Sequence, residues 1–179
     1  HNDLLQTKYY SQYANLKVVT PEKPVETVSA LAVLNNMIGL TEPKLLIRQA
    51  LDYAKAQKLF AEKGRITTRP SMHMVFSGNP GTAKTTVARL YAQVMKENGF
   101  LSKGDLIEVG RNDLVARYVG WTAKTVKAKF AEAKGSVLFI DEAYSLLDDR
   151  KGSFGDEAIN AIVQEMENAR EDTIVIFAG

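Results

Sequence analysis

Apolar positions along this chain fall into two rhythms that take turns. Short runs with few polar interruptions, MHMVFS (72–77), DLIEVG (105–110), VLFI (137–140) and TIVIFA (173–178), read as strands. Between them the apolar residues recur at helical spacing. Val87, Leu90, Tyr91, Val94 and Met95 fall at i, i+3, i+4, i+7 and i+8, one buried helix face that Gly99 ends. A helix carrying Val126 and Phe130 closes at Gly135, and DEAINAIVQEMENA (156–169) is helical. Upstream, the spacing predicts a helix from Glu42 to Lys63, with Thr41 as N-cap, Pro43 in the first turn and Gly64 as the stop. Strands alternating with helices at this spacing imply an α/β fold, a parallel sheet sandwiched by helices. VLFI is apolar throughout, as a strand buried on both faces must be.

This alternation begins near residue 34. Before it, Leu5, Tyr9, Tyr13 and Leu16 recur at helical spacing, and the Pro-containing stretch TPEKPVET (20–27) reads as a linker. The expected organisation is an N-terminal helical segment and linker over 1–33 and an α/β domain over 34–179. The N-terminal stripe fits an ordinary core-facing helix, the end of an upstream domain or a docking helix.

The first predicted strand runs into SGNPGTAKTT (77–86), which follows the phosphate-loop pattern G-x-x-x-x-G-K-[ST] except that Ala83 stands where the second glycine belongs. Strand, glycine-bearing loop, helix is the context that pattern needs. Backbone N–H groups turned inward and a helix N-terminus aimed at the same spot make an anion cradle. In it Lys84 would reach the β- and γ-phosphates and the Thr85 hydroxyl would ligate magnesium. If position 83 needs a positive φ, its Cβ costs roughly 1–2 kcal/mol. Each hydrogen bond to a charged phosphate returns about 1.5–3 kcal/mol. The expectation is binding weakened about tenfold but retained.

VLFIDE (137–142) ends a buried strand in two carboxylates. Such a strand delivers its C-terminal residues to the crevice where ligands bind. Asp141 there suits the magnesium shell, and Glu142 suits the orientation and deprotonation of an attacking water. An acid poised to activate water points to hydrolysis of ATP rather than to a small-molecule kinase.

Composition narrows the classes further. The 23 basic and 21 acidic residues nearly cancel to +2, with no dense Lys/Arg block to mark nucleic acid as a partner. There is no cysteine, which excludes disulfides and thiolate zinc sites. His1 and His73 are too few and too far apart for a histidine metal cluster, and His73 reads as an ordinary residue leading into a strand. No apolar run approaches the roughly 18 residues that span a bilayer. A soluble, cytoplasmic protein with no membrane partner is the expectation.

GNPGTAKTTVARL, VLFIDEAYSLL and the lead-in LNNMIGLTEPK together resemble the AAA+ ATPases, specifically the branch holding stage V sporulation protein K and the red-type rubisco activases, over residues 34 to 179. The resemblance implies a P-loop NTPase large subdomain, ATP and Mg²⁺ as cofactors, assembly with itself into hexameric rings, and a protein client to remodel. It implies that Ile38 and Gly39 lie near the adenine. It also implies that Gly78, Asn79, Pro80, Gly81, Thr82, Ala83, Lys84, Thr85 and Thr86 form the phosphate loop, Ala83 being the departure. Thr85 and Asp141 match the magnesium ligands and Glu142 the catalytic base. Tyr118, Val119 and Gly120 resemble the aromatic-hydrophobic-glycine loop that lines the pore of such rings. In the family pattern the fifth strand, sensor residue, arginine finger and helical lid lie beyond Gly179, so the expectation is a nucleotide subdomain truncated before them. A nucleotide-dependent binding or scaffold module with weak turnover is the alternative reading.

Overall fold

A computed structural model of the chain describes residues 28–65, 71–79, 81–116, 120–147 and 154–179. The N-terminal stripe, the linker and Tyr118 and Val119 lie outside the described residues. In order, the elements are α1 (Ala30–Asn36), α2 (Thr41–Glu62), β1 (Met74–Phe76), α3 (Lys84–Glu97), β2 (Leu106–Val109), α4 (Arg111–Leu114), α5 (Thr122–Glu132), β3 (Val137–Ile140), a 3₁₀ turn (Ala143–Leu146), α6 (Phe154–Asn168) and β4 (Ile174–Ala178).

The four strands form one parallel sheet in the order β1-β4-β3-β2. Side chains of a strand alternate between faces, and the two cores follow that alternation. Val137 and Phe139 of β3, with Ile174 and Ile176 of β4, pack beneath α1, α2 and α3. Leu138, Ile140 and Val175 face the other way, against α4, α5 and α6. Every residue of β3 is buried, as its unbroken apolar run requires. β1 differs. It lies at the sheet's edge, and Val75 is 76% exposed although its neighbours in the sequence are apolar.

The α3 face read from the sequence is the one buried: Val87, Tyr91, Val94 and Met95 have almost no exposure. The Tyr91 hydroxyl donates to the Met72 carbonyl at 3.1 Å, and burial pushes its pKa well above the ordinary range, so it remains a donor. His73 has a structural task. Its Nδ1 accepts the Val175 N–H at 2.9 Å, tying the start of β1 to β4. Burial lowers the imidazole pKa, which keeps the ring neutral and able to accept.

Two features depart from the sequence reading. Thr41 is the first residue of α2 rather than its cap. The cap is Leu40, left-handed at φ 56°, following Gly39 at φ 73°. These two residues reverse the chain from α1 into α2, and the Lys44 ammonium seals the reversal by donating to the carbonyls of Asn35 and Met37. The short helices α1 and α4 and the 3₁₀ turn were not legible as elements. Among the described residues no helix is long and apolar enough to cross a membrane.

Candidate functional site

Strand order decides what meets at the C-terminal edge of the sheet. β4 lies between β1 and β3, so the loop after β1 and the acid pair after β3 flank the end of β4. With strands about 4.8 Å apart, two spacings put them roughly 10 Å from each other, the reach of a triphosphate with its cation. They line one cleft of ≈ 430 Å³, walled by Gly78, Gly81, Thr82, Ala83, Lys84 and Thr85 on one side and by Asp141, Glu142, Tyr144 and Gly179 on the other.

The loop is preformed. The Gly78 N–H donates to the Gly179 carbonyl at 2.9 Å and the Gly179 N–H to the Phe76 carbonyl at 3.0 Å, which locks its base to β4. The Thr82 hydroxyl donates to the Asn79 carbonyl at 2.8 Å. Lys84 Nζ donates to the Gly78 carbonyl at 2.5 Å, so the ammonium is folded back over the loop. On the acid side, the Asp141 N–H donates to the Val109 carbonyl at 2.9 Å, and Asp141 Oδ1 accepts the Glu142 N–H at 3.0 Å.

A family model described as "ATPase family associated with various cellular activities (AAA)" matches residues 74–179, which hold both the loop and the acid pair. The chain belongs to the AAA ATPases.

Among relatives, this AAA chain is 44% identical over 144 residues to the chloroplastic ribulose bisphosphate carboxylase/oxygenase activase of Cyanidioschyzon merolae, covering 80% of this chain and 49% of that one. It is 41% identical to stage V sporulation protein K of Bacillus subtilis, covering 82% and 45%. It is 42% identical to the ESX-1 secretion system protein EccA1 of Mycobacterium leprae, covering 84% and 27%. The first two comparisons show that the chain spans about half the length of the relatives it matches. In fold it is similar to the FIGL-1 AAA domain crystallised with ADP, at a TM-score of 0.53 and 23% identity, covering 78% of this chain and 46% of that one.

Not every residue expected at the site of this AAA domain lies on the cleft. Asn79 bonds within the loop, Thr86 faces outward on α3, and Pro80 is outside the described residues. Ile38 is fully exposed, and neither it nor Gly39 lines the cleft. The next residue, Leu40, does reach the site's surroundings. With Pro43, Leu46, Ile47 and Phe76 it lines a more apolar cavity of ≈ 290 Å³ that shares Gly78, Thr82 and Lys84 with the cleft. Tyr144 and Gly179 line the cleft and were not singled out from the sequence. Tyr144 comes from a 3₁₀ turn with no periodic signal, and Gly179 from strand order, which no local pattern shows.

Ala83 adopts φ 61°, ψ 21°, the conformation a glycine takes at no cost. Three non-glycine residues are left-handed among those described: Leu40, Ala83 and Glu142. All three border this cleft or the cavity beside it, the clustering expected of a site that holds strain for function. Ala83→Gly should relieve roughly 1–2 kcal/mol in the folded state, partly offset by the greater freedom of the unfolded chain. Because Ala83 already holds this conformation without ligand, the cost falls on folding, so the melting temperature should rise or hold while ATP affinity stays within about threefold or tightens. Calorimetric titration of both proteins checks this; binding by the glycine variant weakened beyond that range contradicts it.

Proposed function

We propose that this AAA domain binds ATP with magnesium and hydrolyses the β–γ bond, and that the complete protein assembles into a hexameric ring that uses the reaction to remodel a protein client. The observation that carries the reading is the single cleft walled by Lys84 and Thr85 on one side and by Asp141 and Glu142 on the other. The loop amides and the Lys84 ammonium would take the phosphates, and the adjoining apolar cavity at Leu40 and Leu46 suits the flat face of the base.

The donor set fits magnesium. Among the described residues no three His, Asp or Glu side chains gather into a free-standing metal site. Magnesium does not need one, because it keeps several waters and takes one or two protein oxygens plus phosphate. Thr85 and Asp141 would supply those oxygens, and the ion would neutralise charge between the β- and γ-phosphates. Glu142 would take the proton of the attacking water, and Lys84 would hold the γ-phosphate in line with it.

Tyr118 and Val119, followed by Gly120 at φ 78°, would grip the client. An aromatic side chain on a loop gives sequence-tolerant apolar contact. In the complete protein, Tyr118→Ala should keep ATP hydrolysis and lose client remodelling; undiminished remodelling would rule the gripping role out. The strained Ala83 favours a second reading, a nucleotide-gated scaffold with little turnover. Magnesium-dependent phosphate release by the complete protein, and its loss in Glu142→Gln, separates the two.

A further inference from the structure

We propose that Arg111 is the positioning residue for Glu142, an inference that rests on reading Glu142 as the hydrolytic base. Glu142 sits at φ 48°, ψ 45°, a conformation a residue with a Cβ holds only when its surroundings impose it. The restraint is a short relay. Asp141 Oδ1 accepts the Glu142 N–H at 3.0 Å, and the Ser145 N–H donates to the Glu142 carbonyl at 2.8 Å. The Arg111 guanidinium then donates to the Ser145 carbonyl from across the sheet edge.

Register brings Arg111 there. β2 and β3 pair with Val109 opposite Ile140. Two residues beyond Val109 the chain begins α4 with Arg111, beside the turn that follows Ile140. α4 is itself capped, since the Gly110 N–H donates to Asp113 Oδ2 at 2.9 Å. The charged donor therefore arrives from a held backbone, and a charged donor makes the stronger hydrogen bond. Arg111, Asp113 and Ser145 line a cavity of ≈ 520 Å³ whose remaining wall includes Asp141 and Glu142. Arg111 does not line the nucleotide cleft. Removing its donor frees the 3₁₀ turn and lets Glu142 leave its left-handed conformation while the phosphate loop is untouched. A displacement of about 1 Å at a catalytic group costs on the order of a hundredfold in rate.

The test uses the complete protein with Arg111→Ala, with Arg111→Met, which keeps the aliphatic stem, and with Arg111→Lys. ATP affinity is read by titration with a non-hydrolysable analogue, and turnover by phosphate release at saturating ATP. The expected result for Ala and Met is affinity within about threefold of wild type and turnover lower by roughly ten- to a hundredfold. Arg111→Lys should recover part of the rate, because it keeps the charge but not the fork of donors. In a Glu142→Gln background Arg111→Met should remove nothing further, since the group it positions is already gone. Wild-type turnover in both Ala and Met variants overturns the proposal. So does parallel loss of affinity and rate in Arg111→Met, or an undiminished effect of that change in the Glu142→Gln background. Should Glu142→Gln itself hydrolyse ATP at the wild-type rate, the base assignment falls first and the positioning role falls with it.

Discussion

Replacing Glu142 by glutamine is expected to leave ATP bound and to slow its hydrolysis by about 10²- to 10⁴-fold, the range a general base contributes. The two side chains have the same shape, so the cleft should keep its form. Glutamine has no proton affinity to offer an attacking water. Backbone strain does not confound the comparison, because either residue bears a similar cost at φ 48°. The Asp141 carboxylate that accepts the N–H of this position is unchanged, and with it the proposed magnesium contact. Phosphate release at saturating ATP, with affinity measured alongside, gives the result. A Glu142→Gln protein that turns over at the wild-type rate would remove Glu142 from the chemistry. One that loses affinity and turnover together would assign it a binding role instead.

If the complete protein assembles into the proposed ring, Glu142→Gln should trap it. If assembly depends on bound ATP, the slowed variant should persist as the ring in which the neighbours are engaged, and size measurements with and without ATP on that variant become informative.

How far the site was legible in the sequence depends on the range of the interactions that build it. The loop after β1 is local: SGNPGTAKTT carries its whole pattern within ten residues, and both the strand before it and the α3 face after it follow from periodicity. VLFIDE is local in the same way, because four apolar residues followed by two acids place a buried strand and its polar tip. The meeting of the two is not local. Along the chain β2 separates them, whereas in space β4 does, and only the order β1-β4-β3-β2 brings Gly179 and Tyr144 into the cleft. The cap of α2 lies one residue before the Thr41 that the sequence predicts, for a related reason. Thr41 has the better capping side chain, but the reversal from α1 needs two successive left-handed residues, and Gly39 and Leu40 supply them. Arg111 had no signature at all, since a lone arginine after a strand says nothing until the 3₁₀ turn it holds is in view.

Lys84→Ala should weaken ATP binding by roughly ten- to a hundredfold, with little loss of fold. A charged hydrogen bond to phosphate contributes about 1.5–3 kcal/mol, and each 1.4 kcal/mol is a factor of ten in affinity. The lysine already bends over the loop to the Gly78 carbonyl at 2.5 Å, so binding does not require the ammonium to be gathered from solvent. An ammonium has three donors and can keep Gly78 while turning the others to the phosphates. That economy makes the alanine variant costly in a specific way: it removes the phosphate contact and the tie across the loop at once. The second loss is the smaller, because Gly78 remains bonded to Gly179 and Thr82 to Asn79. ADP should be hurt less than ATP, since the role proposed for the side chain includes the γ-phosphate as well as the β. Titrations with both nucleotides measure the difference. Equal affinity of Lys84→Ala and wild type for ATP would show that the cleft does not take phosphate where the fold presents it, and the nucleotide reading would fall with it.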